Sequence, residues 1–329
     1  MAEQAIHVLS GIDVQNAVSM SEAIELMRSA FEALSTGKAV APLRRHLDIP
    51  EHNATALFMP ASFPAQNRLA LKAVTVYPGN AAAGLPTIHA LVMVFDAATG
   101  RPLAMMDGEY LTALRTGAAS GLATDLLAPP DASVVALFGT GVQARTQLAG
   151  VCAVRPIRRA LVVRRSPERA ERFCREMEAT FHFPVEMAGP AEALEQAQVV
   201  CTATTATEPV FSPEMVSAGT HINAVGSYKP HVREIPGETV AAAKVFVDQR
   251  EACLTEAGDL VIPLKQGLIT EDHVVAELGE VVAGKTPGRR SPEEITLFKS
   301  VGNAVQDLVV ASRALENAQT GDYGTIVFL

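Results

Sequence analysis

Apolar residues follow different rhythms in different stretches of this chain. From Met20 to Ser35 they recur at Ala23, Ile24, Met27, Ala30, Phe31 and Leu34, the spacing of one helical face, and Gly37 closes the run. Residues 38–106 carry short apolar runs instead, at Ala54–Met59, Leu69–Val76, His89–Phe95 and Leu103–Met106, parted by Pro, Gly and Asn. They predict a meander of strands, with Asp96-Ala-Ala-Thr-Gly100 as a hairpin turn. Leu111–Leu127 is Ala-rich and predicts a helix that Ala128-Pro-Pro130 stops. Beyond the double proline, strand runs at 133–138, 160–165, 184–188, 198–203, 220–225 and 244–248 alternate with helical stretches. That order belongs to a doubly wound parallel sheet. Ile295–Val301 predicts one more strand, Asn303–Ala318 a long amphipathic helix and Gly324–Leu329 a last strand. The fold class is α/β: a Rossmann-type doubly wound sheet domain beside a separate α+β meander.

Composition narrows this picture. Hydrophobic residues make up 48% of the 329, with no Trp and only 5% aromatics, so Ala, Val and Leu must fill the interior, as suits a parallel sheet under Ala-rich helices. A net charge of −9 argues against nucleic-acid binding, which needs a basic face, but leaves room for a small anionic ligand at a local cationic cluster. The four cysteines are scattered with no C-x-x-C pair, which reads as free thiols in a reducing cytoplasm. No apolar run approaches the roughly 20 residues of a membrane span, and no basic-then-apolar leader precedes Glu3, so neither membrane nor export is expected. There is no H-E-x-x-H or other paired metal spacing and no G-x-S-x-G elbow, so no metal is expected.

The most specific chemistry lies in Ser133-Val-Val-Ala-Leu-Phe138 followed by Gly139-Thr140-Gly141-Val142-Gln143-Ala144. A strand, a glycine-rich turn and a helix in that order form the dinucleotide fingerprint, with Ala at its permitted third position. Gly139 would permit the tight turn, Gly141 the approach of a pyrophosphate to a helix N-terminus, and Ala144 close helix–strand packing. The second strand ends in Arg164-Arg165-Ser166 where an NAD site offers an acidic residue. Two guanidinium groups and a hydroxyl suit a 2′-phosphate, so NADPH is the expected cofactor, with NADH the alternative. Thr202-Ala203-Thr204 and Val225-Gly226-Ser227 fall at the C-terminal ends of later strands, where ligands bind in open α/β sheets.

Three basic residues stand in apolar surroundings: Arg44 after Pro42, Lys72 inside Leu69–Thr75, and Arg115 in the Ala-rich helix. Burying them requires partners. Either an Asp or Glu pairs with them, or together they receive a substrate carboxylate. His46, His89 and His231 could approach the same site or serve as structural histidines.

These segments resemble the ornithine cyclodeaminase/mu-crystallin family. The resemblance rests on Pro42-Leu-Arg44, Met59-Pro-Ala61, Lys72-Ala-Val-Thr-Val-Tyr-Pro78 with Asn80, and Leu85-Pro-Thr87. It continues in Leu111-Thr-Ala-Leu-Arg-Thr-Gly-Ala-Ala-Ser120, Gly139–Gln143 and Leu297-Phe-Lys-Ser-Val-Gly-Asn-Ala304. It implies a homodimer in which residues 1–122 and 310–329 form a discontinuous substrate-binding and dimerisation domain around an NAD(P)-binding domain at 123–309. It implies that Arg44, Lys72 and Arg115 bind the substrate carboxylate, Lys72 and Arg115 serving catalysis, with Thr87 and Ser227 nearby. Ornithine cyclodeaminases carry an Asp after the glycine of the fifth strand, and here Asn223-Ala-Val-Gly-Ser-Tyr-Lys-Pro230 offers Ser227 and Tyr228 instead. The Gly-Ser-Tyr-Lys-Pro…Arg233-Glu234 wording looks like members that reduce cyclic ketimines, Δ1-pyrroline-2-carboxylate or Δ1-piperideine-2-carboxylate, to L-proline or L-pipecolate. The alternatives are an ornithine cyclodeaminase, an alanine-type dehydrogenase, an enzyme joining amino-acid fragments, and a non-catalytic mu-crystallin-like binding protein. For at least two of Lys229, Arg233 and Glu234 the expected role is a salt-bridged loop.

Overall fold

The structure is a computed structural model that describes residues 5–164, 167–321 and 323–328. It divides into two compact units, one formed by residues up to Arg115 together with those from Asn303 onward, the other by Thr116–Gly302. The borders of these units fall inside the 108–127 helix and just ahead of the C-terminal helix.

The first unit runs β1 (Ala5–Leu9), α1 (Gly11–Ala17), α2 (Met20–Ser35), β2 (Arg45–Ile49), β3 (Ala54–Phe63), β4 (Arg68–Val76), β5 (Ile88–Asp96), β6 (Pro102–Asp107) and the start of α3 (Gly108–Leu127). The second contains β7 (Val134–Phe138), α4 (Val142–Val154), β8 (Arg159–Val163), α5 (Pro167–Phe181), β9 (Val185–Met187), α6 (Pro190–Gln196), β10 (Val199–Thr202) and β11 (His221–Ala224). It continues through α7 (Gly237–Ala242), β12 (Lys244–Val247), α8 (Arg250–Glu256), α9 (Gly258–Lys265), β13 (Val274–Glu277), α10 (Leu278–Val282) and β14 (Thr296–Lys299). The chain then returns to the first unit with α11 (Ala304–Thr320) and β15 (Thr325–Phe328).

In the first unit a seven-stranded sheet has the order β15-β1-β6-β5-β4-β3-β2. All its pairs are antiparallel except β1 with β6. The expected turn at Asp96 closes its hairpin: Gly100 N–H donates to the Asp96 carbonyl and the Asp96 carboxylate accepts from Thr99, with Gly100 at φ +73°. Helix α11 lies across β3, β4 and β5, with α2 beside it. Strand alternation therefore sends Met59, Ala61, Ala70, Lys72, Val92 and Val94 toward the helices and Phe58, Leu71, Ala73, Leu91 and Met93 to the opposite face. That outer face is apolar too, with Phe58 39% and Leu91 49% exposed.

In the second unit eight strands, all parallel, take the order β13-β12-β14-β11-β10-β7-β8-β9. The first strand of the unit, β7, sits between β8 and β10, which is the switch point of a doubly wound sheet. Beneath it Val135, Leu137, Ala144, Leu148, Ala160, Val162, Phe173 and Val199 form one core. Gly117 of α3 and Gly150 of α4 let those helices touch: a Cβ on Gly150 would lie 2.1 Å from the Gly117 carbonyl oxygen. Helix α3 stops at the double proline, where the Arg155 guanidinium collects the carbonyls of Thr124, Asp125, Ala128 and Pro129.

Candidate active site

In the first unit β4 aims Lys72 at the first turn of α11. Its ammonium lies 2.8 Å from Asp307 Oδ2 and donates to Thr112 Oγ1 at 3.4 Å. Thr112 and Arg115, three residues apart, share one face of α3. Arg115 Nε donates to Asp307 Oδ1 at 3.1 Å and its Nη1 to Gln306 Oε1 at 2.8 Å. Asn303 caps α11 by accepting the Gln306 N–H, which sets Asp307 in the first turn, where the helix dipole favours a carboxylate. Lys72 is 3% and Asp307 and Arg115 1% and 5% exposed. Burial lowers the Lys72 amine to about 8, with Arg115 and Arg44 adding to the fall and Asp307 opposing it. Two buried cations, Lys72 and Arg115, thus share the Asp307 carboxylate.

Of the two sequence readings of the basic trio, the pairing one is met for Lys72 and Arg115, which share Asp307. Asp307 itself escaped the sequence reading. Its signal was the mirror of the one that exposed Lys72, a lone charge in the apolar run Ala304–Ala311. Arg44 is half-buried, while Thr87 is exposed with its carbonyl accepting the Tyr77 N–H, and no hydrogen bond joins it to Lys72 or Arg115 among the described residues. His46 and His231 are exposed, and His89 pairs with Glu109 at 3.4 Å.

In the second unit β7 leads into the glycine turn. Gly139 has φ +116°, and a Cβ there would lie 2.4 Å from the Ala203 carbonyl oxygen, so no other residue fits without displacing the next strand's loop. Gly141 is the N-cap of α4 and has no side-chain cap; a Cβ on it would meet nothing within 4 Å. The first turn carries no acidic residue, Thr140 and Val142 flank the turn, and the buried Gln143 Oε1 has no hydrogen-bond partner. Uncapped N–H groups, open space and an unopposed dipole fit a dinucleotide's pyrophosphate. Arg164 follows β8, exposed, with Nε donating to Met187 Sδ at 3.2 Å. Arg165 and Ser166 lie outside the described residues.

At the neighbouring strand ends the loop of Lys229, Arg233 and Glu234 is not joined by salt bridges among the three. Lys229 is exposed and Arg233 donates to Gln266, but Glu234 is fully buried. Its carboxylate accepts from Thr202 Oγ1 (3.0 Å), Gly226 N (2.8 Å) and Thr204 N (2.7 Å). Asp259 accepts the N–H groups of Glu234 and Ile235 and pairs with Lys299 at 2.8 Å. Lys299 also donates to the Ser227 carbonyl, and the Ser227 hydroxyl donates to the Val232 carbonyl at 2.6 Å, which commits its proton within the loop. Ala203 and Val225 continue β10 and β11 through backbone bonds to Phe138 and Thr202. Among the described residues no cluster of metal-binding side chains occurs, and no helix is long and apolar enough to cross a membrane.

The family model for ornithine cyclodeaminase/mu-crystallin proteins matches residues 4–322. A Δ1-pyrroline-2-carboxylate reductase of Bacillus cereus is 41% identical over 94% of this chain and 96% of its own length. The solved structure of Thermococcus litoralis Δ1-pyrroline-2-carboxylate reductase with NADH and L-proline superposes with a TM-score of 0.94 at 44% identity, covering 97% of this chain and 99% of that one. An archaeal alanine dehydrogenase dimer with bound NAD gives 0.93 at 35% identity, over 98% and 99%.

Proposed function

Because the chain belongs to the ornithine cyclodeaminase/mu-crystallin family, we propose that it reduces a cyclic ketimine carboxylate, Δ1-pyrroline-2-carboxylate or Δ1-piperideine-2-carboxylate, to L-proline or L-pipecolate. The observation that carries this reading is the buried cation pair, Lys72 and Arg115, sharing one aspartate with a third cation, Arg44, acting on it. An excess of fixed positive charge in a low-dielectric site receives a carboxylate and orients the ring that bears it. A reduced nicotinamide, when bound at the glycine turn, supplies the hydride. Lys72, held near 8, is mostly an ammonium at neutral pH yet gives up its proton readily, as a donor to the imine nitrogen must.

The cyclodeaminase alternative needs a carboxylate after Gly226. Ser227 and Tyr228 stand there, and the Ser227 hydroxyl is turned into its own loop. An alanine-type dehydrogenase remains the second reading, since an open-chain imine carries the same carboxylate and a relative of that activity is 35% identical. NADPH is the favoured cofactor on the strength of Arg164, Arg165 and Ser166 and the lack of an acidic residue beside them. The apolar outer face of the mixed sheet, with Leu47, Phe58 and Leu91 open, favours a second copy of the chain as its cover, as in the dimeric relative. The four cysteines are free thiols, burial pushing Cys152 and Cys201 up to about 12, which suits a reducing cytoplasm.

The test is NADPH oxidation by purified protein with Δ1-pyrroline-2-carboxylate, beside pyruvate plus ammonia, and ammonia release from ornithine. Rapid turnover of the cyclic imine alone is expected. Turnover confined to pyruvate plus ammonia establishes the dehydrogenase, and ammonia from ornithine the cyclodeaminase.

A further inference from the structure

The ends of β7, β10 and β11 stand side by side, with Thr202 in register with Phe138 on one flank and with Ala224 on the other. In a parallel sheet this ridge supports the cofactor that lies over the switch point. Glu234 holds Thr202 at the tip of β10, Thr204 two residues on, and Gly226 beyond β11. The fit around Gly226 is tight, since a Cβ there would lie 2.4 Å from Glu234 Oε2. The segment so held includes Ala203, whose carbonyl oxygen closes the space under Gly139. Glu234 is fixed in turn: Asp259 takes its N–H, Lys299 takes Asp259, and Lys299 closes the ring on the Ser227 carbonyl. Every polar partner of the Glu234 carboxylate here is a donor.

We propose that Glu234 is a positioning residue for the nicotinamide half of the cofactor: it sets the Thr202–Thr204 and Gly226–Ser227 loops against which the reacting ring rests. This rests on the reading of the second unit as a nicotinamide-dinucleotide site. A neutral glutamine cannot replace it. An amide group presents an NH2 either toward the Thr204 N–H or toward the Gly226 N–H, so one backbone donor loses its acceptor and its loop moves. The glycine turn that would hold the pyrophosphate and the adenosine side is contributed by β7 and α4; it touches the held segment at Ala203 but takes no hydrogen bond from Glu234 among the described residues.

The experiment compares Glu234→Gln with the native protein in three readings: binding of NADPH, binding of 2′-phospho-ADP-ribose, which lacks the nicotinamide, and kcat with the cyclic imine. The expected result is about a tenfold weaker NADPH affinity, equivalent to about 1.4 kcal/mol, with a lower kcat and unchanged 2′-phospho-ADP-ribose binding. Emission of bound NADPH should move toward that of the free cofactor. Thr202→Val removes one donor without disturbing the carboxylate, and should reproduce the same split more weakly if the glutamine variant does not fold. Equal weakening of both ligands, or no weakening of either, overturns the proposal. Native protein that binds neither NADPH nor NADH removes the cofactor reading itself, an outcome visible before any variant is made.

Discussion

Each unit buries a lysine against an aspartate at the same 2.8 Å, Lys72 on Asp307 in the first and Lys299 on Asp259 in the second. Burial lowers both amines, yet Lys72 ends near 8 and Lys299 ends above its ordinary value. The neighbours decide. Around Lys72 the further charges are Arg115 and Arg44; around Lys299 the charges of Asp259 and Glu234 outweigh desolvation. The Glu234 carboxyl is raised in turn by burial and by Asp259, and restrained by Lys299 and the Thr204 hydrogen bonds. A salt bridge of one length thus leaves one amine easier to deprotonate and the other harder. The neighbouring charges, more than the pair distance, set the two amines apart, and on the proposed function they separate receptor from scaffold.

The largest expected effect separates the two lysines by function. Lys72→Met should lower kcat/KM for the cyclic imine about a thousandfold, the order of losing a buried charge-assisted contact and the proton donor together. Asp307 keeps Arg115, so Tm should change little; a loss below tenfold in kcat/KM would make Lys72 another brace. Lys299→Met should show the reverse bias, about 3 kcal/mol of lost stability in urea titration, because two buried carboxylates then face each other without an amine. Unchanged stability there would dissolve the contrast.

Asp307→Asn sharpens it through pH. With Lys72 required as its ammonium, kcat/KM should descend as pH rises through about 8. Asp307 is the group that raises the Lys72 value against burial, Arg115 and Arg44, so its loss should move that limb to lower pH, with about a tenfold fall at neutrality. A limb that stays in place would assign it to another group. The smallest effect belongs to an exposed charge. Arg164→Ala with Arg165→Ala should erase about a tenfold preference for NADPH over NADH, measured as the ratio of kcat/KM values; a preference that survives places the 2′-phosphate elsewhere.

Legibility in the sequence followed the distance between partners along the chain. The α2 stripe, the strands at 54–76 and 89–106, the Ala-rich helix and the alternating second unit were readable because each is a local rhythm. The glycine turn was readable because its strand, turn and helix are contiguous. β2 was missed because Arg45-His-Leu-Asp-Ile49 is a short, exposed edge strand with apolar residues only at Leu47 and Ile49, and β1 because its partners β15 and β6 are remote in sequence. α1 carried a signal that went unused, the Ser10–Asp13 capping box. Lys72 and Arg115 drew notice as charges in apolar runs, but their partner lies on α11, near the other end of the chain. The partners of Glu234 were not legible, because Lys229 and Arg233 beside it suggest local ion pairs, whereas Thr202, Thr204 and Gly226 come from strand ends that only the fold assembles.

The first unit is written in two pieces, and this sets an order of birth. A ribosome delivers β4 and α3, with Lys72 and Arg115, long before α11, and domains fold as units while synthesis proceeds. Until residue 307 emerges the two cations have no carboxylate and resist burial, so the mixed sheet waits, while Thr116–Gly302 is uninterrupted and can close on itself first. Chains stalled before residue 303 should accordingly resist protease across 134–299 and be cut within 54–76. On that order the proposed carboxylate receptor would be the last part of the nascent protein to form.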